Sequence, residues 1–272
     1  MIIDGKKIAR GTLEGLRAQK GTWREKIFAA FLVGENKESE SFLKQKEKFA
    51  KELGIEFRLY RLSEDPSNDA LRKKIGIIIR GSRFGGGIIQ LPLPEKYSEQ
   101  VILNAIPKEK DVDCLTEQAL GGFYAGRWPV MPPAVAALKR ILGEIHCTLD
   151  DKNVVVVGRG RLIGKPISLW LLDKTREFAS LYLENERSFQ RLKDADLIIS
   201  GVGKPHIIKG PHIKDGAAIV DFGYYFDQEK ILGDADFESC SQKASYITPT
   251  PGGTGPIVVA ELFYNFYLLN RR

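Results

Sequence analysis

The chain has 272 residues and a formal net charge of +6, with 43% hydrophobic and 28% charged residues. This composition is typical of a globular protein of one large or two ordinary domains and excludes a disordered chain. The basic residues are scattered among acidic ones without an aromatic-interleaved stripe, so we expect no nucleic-acid partner.

No apolar run reaches the roughly 20 residues that a membrane span requires. The first ten residues, MIIDGKKIAR, lack the layout of a signal peptide, so we expect a cytoplasmic protein that does not bind membranes. Cys114, Cys147 and Cys240 show neither metal-ligand nor redox spacing. We therefore expect reduced thiols and no metal site.

Strand-like and helix-like runs alternate along the first half. KIFAAFLVG predicts a buried strand, the segment from Ser39 to Leu53 a helix with Ser39 near its N-cap and Gly54 as its stop, and EFRLYRL a second strand. NDALRKKIGIIIRG predicts a helix, GGGIIQLPLP a strand, and SEQVILNAI and PAVAALKRILGEI two further helices. This alternation predicts a parallel sheet covered by helices.

The second half restarts the same pattern. NVVVVG, FASLYLE, DLIISGVG and AAIVDFG predict short strands buried on both faces, with a helix from about Gly164 after the first and a short one after the second. The final PIVVAELFYNFYLLNRR predicts an apolar helix that must pack against a large surface. The expected fold class is therefore α/β.

One of three alternating lysines lies on an apolar helix face. At 100° per residue, Lys46 falls among Phe42, Phe49, Ala50 and Leu53, whereas Lys44 and Lys48 point to the opposite side. Phe42 precedes Lys46 by one turn, which makes the ring and the ammonium neighbours. Two interpretations stay open: a lysine that extends to water along its apolar stem, and a desolvated amine of lowered pKa suited to act as a general base.

Other polar residues occupy positions where ligands bind. Gln90 follows a strand at its carboxyl end, where open α/β sheets bind ligands, although it also suits the capping of backbone groups. Asp111 and Asp113 lie in a loop after a helix; such carboxylates are usually solvated, or one of them binds a donor-rich ring.

Glycines shape two loops of the second half. Gly158, Gly160 and Gly164 follow a four-valine strand with the spacing GxGxxxG, one residue longer than the usual dinucleotide fingerprint, and offer backbone N–H groups to a pyrophosphate. Glu184, near the end of the next strand, is a candidate for binding a ribose hydroxyl. The proline- and glycine-rich stretch YITPTPGGTGP predicts a rigid loop of close approach.

Together these motifs resemble the bifunctional methylenetetrahydrofolate dehydrogenase/cyclohydrolase family. The matching segments follow the family order across essentially the whole chain: IIDGK, SFLKQK, IIQLPLP, KDVD, VVVGRGRLIGKPISLWLL, DADLIISGVGKP, GAAIVDFG and ASYITPTPGGTGPIVVA. The resemblance implies an α/β folate-binding catalytic domain over residues 1–138, completed by 256–272. It also implies a Rossmann-type NAD(P)-binding domain with a parallel sheet over residues 139–255, a folate site in the cleft between the domains, and a homodimer.

The implied activity is oxidation of 5,10-methylenetetrahydrofolate with NADP, or NAD, followed by hydrolysis of the product to 10-formyltetrahydrofolate in one-carbon metabolism. A monofunctional dehydrogenase or cyclohydrolase of the same fold, or a folate- or nucleotide-binding protein without turnover, are the alternatives. The intact set of Lys46, Gln90 and Asp113 disfavours the last.

The resemblance also implies roles for individual residues. Lys46 matches the family's catalytic lysine, Gln90 its hydrogen-bonding partner and Asp113 the carboxylate that holds the pterin. Positions matching the folate pocket are Phe42, Gly252, Gly253 and Pro256. Positions matching the dinucleotide site are Gly158, Arg159, Gly160, Gly164 and Tyr224, the last on the nicotinamide side.

Several positions depart from the family pattern. Phe42 stands where the family usually has tyrosine, Cys114 where it has glycine and Met131 where it has threonine. A family motif His-Ser-x-Thr aligns with Tyr182-Leu183-Glu184-Asn185, which removes hydroxyls expected to contact a 2′-phosphate and adds a repelling carboxylate. Arg159 remains as a phosphate partner. The choice between NADP and NAD is therefore open, with NADP favoured by the family.

Overall fold

The computed structural model describes residues 1–227 and 230–271 of the chain. These residues form two compact units. A three-stranded unit comprises Gly11–Pro133 and Val259–Arg272, and a five-stranded unit comprises Met1–Arg10 and Ala134–Val258. The boundaries fall within helices α1 (Gly5–Ala18) and α10 (Thr254–Asn270) and at the start of α6 (Pro133–Glu144).

The sheet of the three-stranded unit is parallel, with strand order β2-β1-β3. Its strands are β1 (Ile27–Val33), β2 (Phe57–Leu62) and β3 (Phe84–Ile89). All seven residues of β1 are buried, because alternate side chains enter hydrophobic clusters on the two faces of the sheet: Phe28, Ala30 and Leu32 in one, Ala29, Phe31 and Val33 in the other. This two-sided burial explains the unbroken apolar run.

Helices cover both faces of this sheet. Residues of α2 (Lys37–Leu53) enter the cluster on one face, and residues of α3 (Asn68–Ile79) and α4 (Glu99–Leu103) enter the cluster on the other. Helix α5 (Glu117–Tyr124) follows in the chain. The carboxyl-terminal part of α10 brings Phe263 and Phe266 to 5.0 and 5.4 Å from the ring of Phe28, measured between ring centroids. The closing apolar helix therefore packs against a large surface, as predicted.

The predicted start of α2 at Ser39 is wrong, and its predicted end is confirmed. Asn36 is the N-cap, because its side chain accepts a hydrogen bond from the Ser39 N–H at 2.8 Å and so satisfies a free donor of the first turn. Gly54 ends the helix with φ of 73°, a left-handed conformation that glycine adopts without strain.

The five-stranded unit contains a second parallel sheet, with strand order β10-β7-β6-β4-β5. Its strands are β4 (Val154–Val157), β5 (Phe178–Leu181), β6 (Leu197–Ser200), β7 (Ala218–Asp221) and β10 (Tyr246–Ile247), and its helices include α7 (Gly164–Leu171), α8 (Glu186–Lys193) and α9 (Phe237–Ser241). An antiparallel pair, β8 (Tyr225–Asp227) and β9 (Lys230–Leu232), follows β7. These two strands and β10 were not predicted, because they are two or three residues long and lack a buried apolar run.

The predicted domain division differs from the compact units at the amino terminus. Residues 1–138 were assigned to one domain, yet Met1–Arg10 belongs to the five-stranded unit. The reason is backbone pairing: the Ile3 N–H donates to the Ile247 carbonyl at 2.9 Å, and the Ile247 N–H donates to the Met1 carbonyl at 3.1 Å. Sequence periodicity does not reveal such a long-range pairing.

The α/β fold class with parallel sheets is confirmed. Within the described ranges, no helix has both the length and the apolar composition that crossing a membrane requires.

Candidate active site

Helix α2 carries Lys46 on its buried face. Leu43, Lys46 and Ala50 recur at helical spacing and are buried, with Lys46 only 8% exposed, whereas Lys44 and Lys48 are exposed. The prediction that Lys46 alone of the three lysines faces the interior of its unit is confirmed. Phe42 lies one turn earlier and is half-buried.

A direct hydrogen bond joins Lys46 to the end of the sheet. The Lys46 Nζ donates to the Gln90 Oε1 at 2.6 Å, across 44 residues of sequence. The Gln90 N–H donates to the Phe31 carbonyl at 2.9 Å, and its Nε2 donates to the Leu91 carbonyl at 2.7 Å. The first bond holds the Gln90 backbone on the sheet, and the second orients the side-chain amide so that its oxygen accepts from the lysine.

Burial and a nearby carboxylate set the protonation of this cluster. Burial lowers the pKa of Lys46 to about 8, although the negative charge of Asp113 partly opposes the shift. Burial raises the pKa of Asp113 to about 6, with Lys46 opposing and Asp111 reinforcing the rise. An amine with a pKa near 8 is neutral in a useful fraction of molecules near neutral pH, as a general base must be.

Asp111 and Asp113 have different surroundings, which the sequence did not show. Asp111 is buried, and its Oδ2 accepts from the N–H groups of Leu115 and Thr116 at 2.9 and 2.8 Å. Cys114, inside this turn, has φ of 55°. The left-handed backbone gives a physical reason for the family's glycine at this position. Asp111 therefore shapes the loop that presents Asp113.

Asn265 is a second supporting residue that sequence reasoning missed. It is 2% exposed on α10, and its Nδ2 donates to the carbonyls of Val112 and Met131 at 2.9 and 2.8 Å. One side chain thus ties the loop before Asp113 to the segment containing Met131. The available signal was a lone amide within the otherwise apolar run LFYNFYLL.

The remaining residues predicted for the folate pocket, Gly252, Gly253 and Pro256, belong to the five-stranded unit. They flank the start of α10. The backbone there is tightly packed: a Cβ added to Gly253 would lie 2.5 Å from the Pro249 carbonyl oxygen, and one added to Gly5 would lie 1.7 Å from the Gly253 oxygen. The predicted loop of close approach is present.

Backbone conformation and close packing require glycine in the turn between β4 and α7. Gly158 has φ of 93°, and its N–H donates to the Leu181 carbonyl at 2.9 Å. A Cβ on Gly164 would lie 1.9 Å from the Gly158 oxygen, whereas one on Gly160 would have its nearest neighbour at 4.0 Å. The turn is thus packed against its helix at one glycine and open at another, which fits an approaching pyrophosphate.

Arg159 lies in the turn after β4, and its side chain reaches the carboxyl end of β5. Its guanidinium donates to the Ser180 carbonyl and stacks over the Tyr182 ring at 5.3 Å. Glu184 is exposed, whereas Asn185 caps α8 by accepting from the Ser188 N–H at 3.0 Å. Two of the four residues that depart from the family motif therefore have structural partners of their own.

Tyr224 follows β7 and is half-buried. Its carbonyl oxygen lies 3.4 Å from the position that a Cβ on Gly203 would occupy, so the segments after β6 and β7 are close neighbours.

These features define an α/β protein with a glycine turn suited to a dinucleotide in one unit and a buried lysine, amide and carboxylate in the other. Residues 3–113 match the family described as tetrahydrofolate dehydrogenase/cyclohydrolase, catalytic domain, and residues 132–272 match the NAD(P)-binding domain of the same description. The chain belongs to the tetrahydrofolate dehydrogenase/cyclohydrolase family, which confirms the resemblance.

Known relatives resemble the chain over its whole length. The bifunctional protein FolD of Staphylococcus haemolyticus is 34% identical, over 99% of this chain and 96% of its own. The crystal structure of the bifunctional FolD enzyme of Campylobacter jejuni has a TM-score of 0.92 at 29% identity, covering 100% of this chain and 98% of that one. The Trypanosoma brucei FolD structure, complexed with NADP cofactor and inhibitor, has a TM-score of 0.93 at 26% identity, covering 100% and 97%.

Proposed function

We propose that this chain oxidises 5,10-methylenetetrahydrofolate to the methenyl cation with NADP and hydrolyses that cation to 10-formyltetrahydrofolate. The observation that carries the proposal is the Lys46–Gln90 hydrogen bond of 2.6 Å on a buried face, in a chain that matches both domains of the family. The proposed enzyme is an oxidoreductase and a hydrolase of one-carbon metabolism.

In the hydrolytic step, Lys46 serves as the proton acceptor. Water attacks the cationic carbon, a C–O bond forms, and one water proton passes to the neutral Nζ. The bond from that carbon to N5 then breaks and N5 takes up the remaining hydroxyl proton, so that the step releases one proton overall. Burial supplies the neutral amine by lowering the pKa of Lys46, and Gln90 holds the amine in place.

Asp113 and Phe42 bind the substrate in this proposal. A carboxylate suits the donor-rich face of a pterin, and the Asp111 turn holds Asp113 in place for that contact. The Phe42 ring stacks on the folate, which requires an aromatic face but no hydroxyl. The assignment of Gly252, Gly253 and Pro256 to folate binding rests on the family resemblance and stays a prediction.

Oxidation requires a nicotinamide cofactor, which accepts the hydride from the methylene carbon when bound. Gly158, Gly160 and Gly164 would hold its pyrophosphate on open backbone and the start of α7. Arg159, whose guanidinium lies over the Tyr182 ring, would bind a 2′-phosphate, and Tyr224, which follows β7, would contact the nicotinamide side. We favour NADP, the cofactor in the T. brucei relative, with NAD as the alternative because of Glu184.

One spectrophotometric experiment tests the proposal and its rivals. The absorbance of methenyltetrahydrofolate is followed with the methylene substrate and NADP or NAD, and separately with the methenyl substrate alone. Both activities support the bifunctional enzyme, and one of them alone identifies a monofunctional relative, an alternative motivated by Phe42 and Leu183. Absence of both, with folate binding retained, identifies a binding protein.

We further propose a cytoplasmic homodimer, following the family. Light scattering coupled to size-exclusion chromatography would give twice the 30.4 kDa chain mass for the dimer. Elution at the mass of one chain would contradict it.

A further inference from the structure

Two buried carboxylates of the five-stranded unit have no role in the site described so far. Asp221 ends β7 and is 1% exposed, and Asp234 follows β9 and is 0% exposed. Buried carboxylates are costly unless donors surround them, so the groups that donate to this pair show what it holds in place.

Asp234 accepts hydrogen bonds from one short segment, which comprises the last residue of β6 and the loop that follows it. Its Oδ2 accepts from the Ser200 Oγ at 2.5 Å and the Val202 N–H at 2.7 Å. Its Oδ1 accepts from the N–H groups of Gly203 and Lys204 at 2.8 and 2.9 Å. Three successive backbone donors and one hydroxyl therefore converge on one carboxylate, which fixes the path of Gly201–Lys204.

Asp221 accepts hydrogen bonds from the chain neighbours of Asp234 and of Tyr224. Its Oδ1 accepts from the Gly223 N–H at 2.6 Å and its Oδ2 from the Ala235 N–H at 2.9 Å. The pair is tightly packed, because a Cβ on Gly223 would lie 2.3 Å from the Asp234 Cγ and one on Gly233 would lie 2.3 Å from the Asp221 Oδ2. Burial and the neighbouring Asp234 raise the pKa of Asp221 to about 7, which agrees with two close carboxylates.

The loop that Asp234 holds forms a wall of the glycine turn. A Cβ on Gly158 would lie 2.9 Å from the Gly201 carbonyl oxygen, and one on Gly201 would lie 2.5 Å from the Ile163 side chain. Any displacement of Gly201–Lys204 therefore changes the space over the turn proposed to bind the dinucleotide.

We propose that Asp234 is a positioning residue for the dinucleotide: it holds Gly201–Lys204 against the glycine turn, so that the binding surface exists before the cofactor arrives. This inference rests on the proposed function. The competing explanation is that Asp234 stabilises the unit as a whole without affecting binding selectively. The location of faster amide exchange distinguishes the two: general destabilisation would also accelerate exchange in β4, β6 and β7, whereas a positioning role confines the change to residues 202–204. Cyclohydrolase activity, which needs no dinucleotide, reports on the other unit.

The test is Asp234→Asn. Asparagine has nearly the same side-chain shape as aspartate, but its NH2 group replaces an acceptor oxygen and cannot accept hydrogen bonds from the backbone N–H groups that it faces. We expect the dissociation constant for NADP, measured by calorimetry, to rise at least about tenfold, since hydrogen bonds to charged groups are the strong ones. Amide deuterium exchange at residues 202–204 in the dinucleotide-free protein should accelerate. Cyclohydrolase activity should stay within about twofold of the parent.

Asp236→Asn is the matched control, because the Asp236 carboxylate accepts from the Ser239 Oγ at 2.6 Å and, in the part of the chain that the structure describes, makes no hydrogen bond to Gly201–Lys204. Should Asp234→Asn fail to fold, Ser200→Ala removes one of the four donors and should weaken NADP binding more than Asp236→Asn does, with the same exchange signature. Parent-like binding and exchange in Asp234→Asn, or in Ser200→Ala if that variant must be used, would overturn the inference. So would equal losses of NADP binding and cyclohydrolase activity. A parent protein that binds neither NADP nor NAD would instead contradict the proposed function.

Discussion

The Lys46–Asp113 cluster of the three-stranded unit and the Asp234 carboxylate of the five-stranded unit use buried charge in opposite ways. In the three-stranded unit, Lys46 and Asp113 face other side chains, and their pKa values move to about 8 and about 6, where a proton is readily exchanged. In the five-stranded unit, Asp234 is bonded to three backbone N–H groups and a hydroxyl, which suits a fixed shape. The contrast indicates that removing the Lys46 amine should alter reaction rate, whereas changes that disturb the backbone around the glycine turn should alter dinucleotide binding.

The largest expected effect is that of Lys46→Met. The variant keeps the apolar stem but removes the amine, so cyclohydrolase activity should fall about 10²–10⁴-fold, the usual cost of losing a general base. Dehydrogenation should survive in part, because hydride transfer releases no proton that a base must accept. Both activities are measured by methenyltetrahydrofolate absorbance above the spontaneous background.

Lys44→Met and Lys48→Met are the matched controls, since both side chains are exposed on the same helix. Each should leave both activities within a few-fold. Hydrolysis at the parent rate by Lys46→Met would show that Lys46 is only a buried structural lysine.

The next largest effect is expected for Gly164→Ala, which tests whether the backbone of the glycine turn binds the dinucleotide. Gly164→Ala places a Cβ 1.9 Å from the Gly158 oxygen, and such overpacking typically costs about 1–3 kcal/mol. NADP binding should be severely weakened while cyclohydrolase activity persists. Gly143→Ala, a helical position with no atom within 4 Å of the new Cβ, is the control and should bind NADP normally. Equal NADP affinity in both variants would contradict the proposed role of the turn.

Substrate stacking should give an intermediate effect. Phe42→Ala should raise the KM for folate about two- to thirteenfold, because aromatic stacking contributes about 0.5–1.5 kcal/mol beyond area burial. Phe42→Tyr should change KM little, since the ring is retained. Steady-state kinetics with the methenyl substrate measure both, and an unchanged KM for Phe42→Ala would show that the ring does not touch the substrate.

The cyclohydrolase rate should depend on pH through the protonation of Lys46 and of Asp113. Cyclohydrolase turnover requires a neutral Lys46 and an ionised Asp113, so the rate should rise with pH through about 6 and again through about 8. Between pH 7 and 8 the neutral amine fraction grows about fivefold for a pKa of 8. Gln90→Glu places a negative charge beside Nζ, raises the pKa of Lys46 and should move the alkaline rise upward. An unmoved profile would argue against Lys46 as the titrating base.

The smallest effect concerns cofactor choice. With Glu184 exposed beside the predicted ribose position, preference for NADP over NAD should stay below about a hundredfold, roughly 3 kcal/mol. Glu184→Gln removes the repelling charge and should increase the NADP preference a few-fold, because exposed charges act weakly. The ratio of kcat/KM for the two cofactors measures this, and a parent preference above a hundredfold would contradict it.

The sequence by itself determined the elements whose signal is local. The seven-residue apolar run of β1, the valines of β4 and the helical spacing around Lys46 each predict their structure from neighbouring residues. The fold class and the buried position of Lys46 followed from these patterns, because periodicity alone decides which side of a helix or strand is apolar.

Tertiary structure decided what depends on distant partners. The Lys46–Gln90 bond spans 44 residues, and Asp111, unlike Asp113, is surrounded by donors that its turn provides. Asp234 appears in the sequence as one more acidic residue near a glycine, yet its carboxylate is bonded to a segment about 30 residues earlier. Side-chain periodicity carries no information on which backbone N–H groups will converge on a buried carboxylate, because that convergence exists only once the parallel strands have aligned their carboxyl ends.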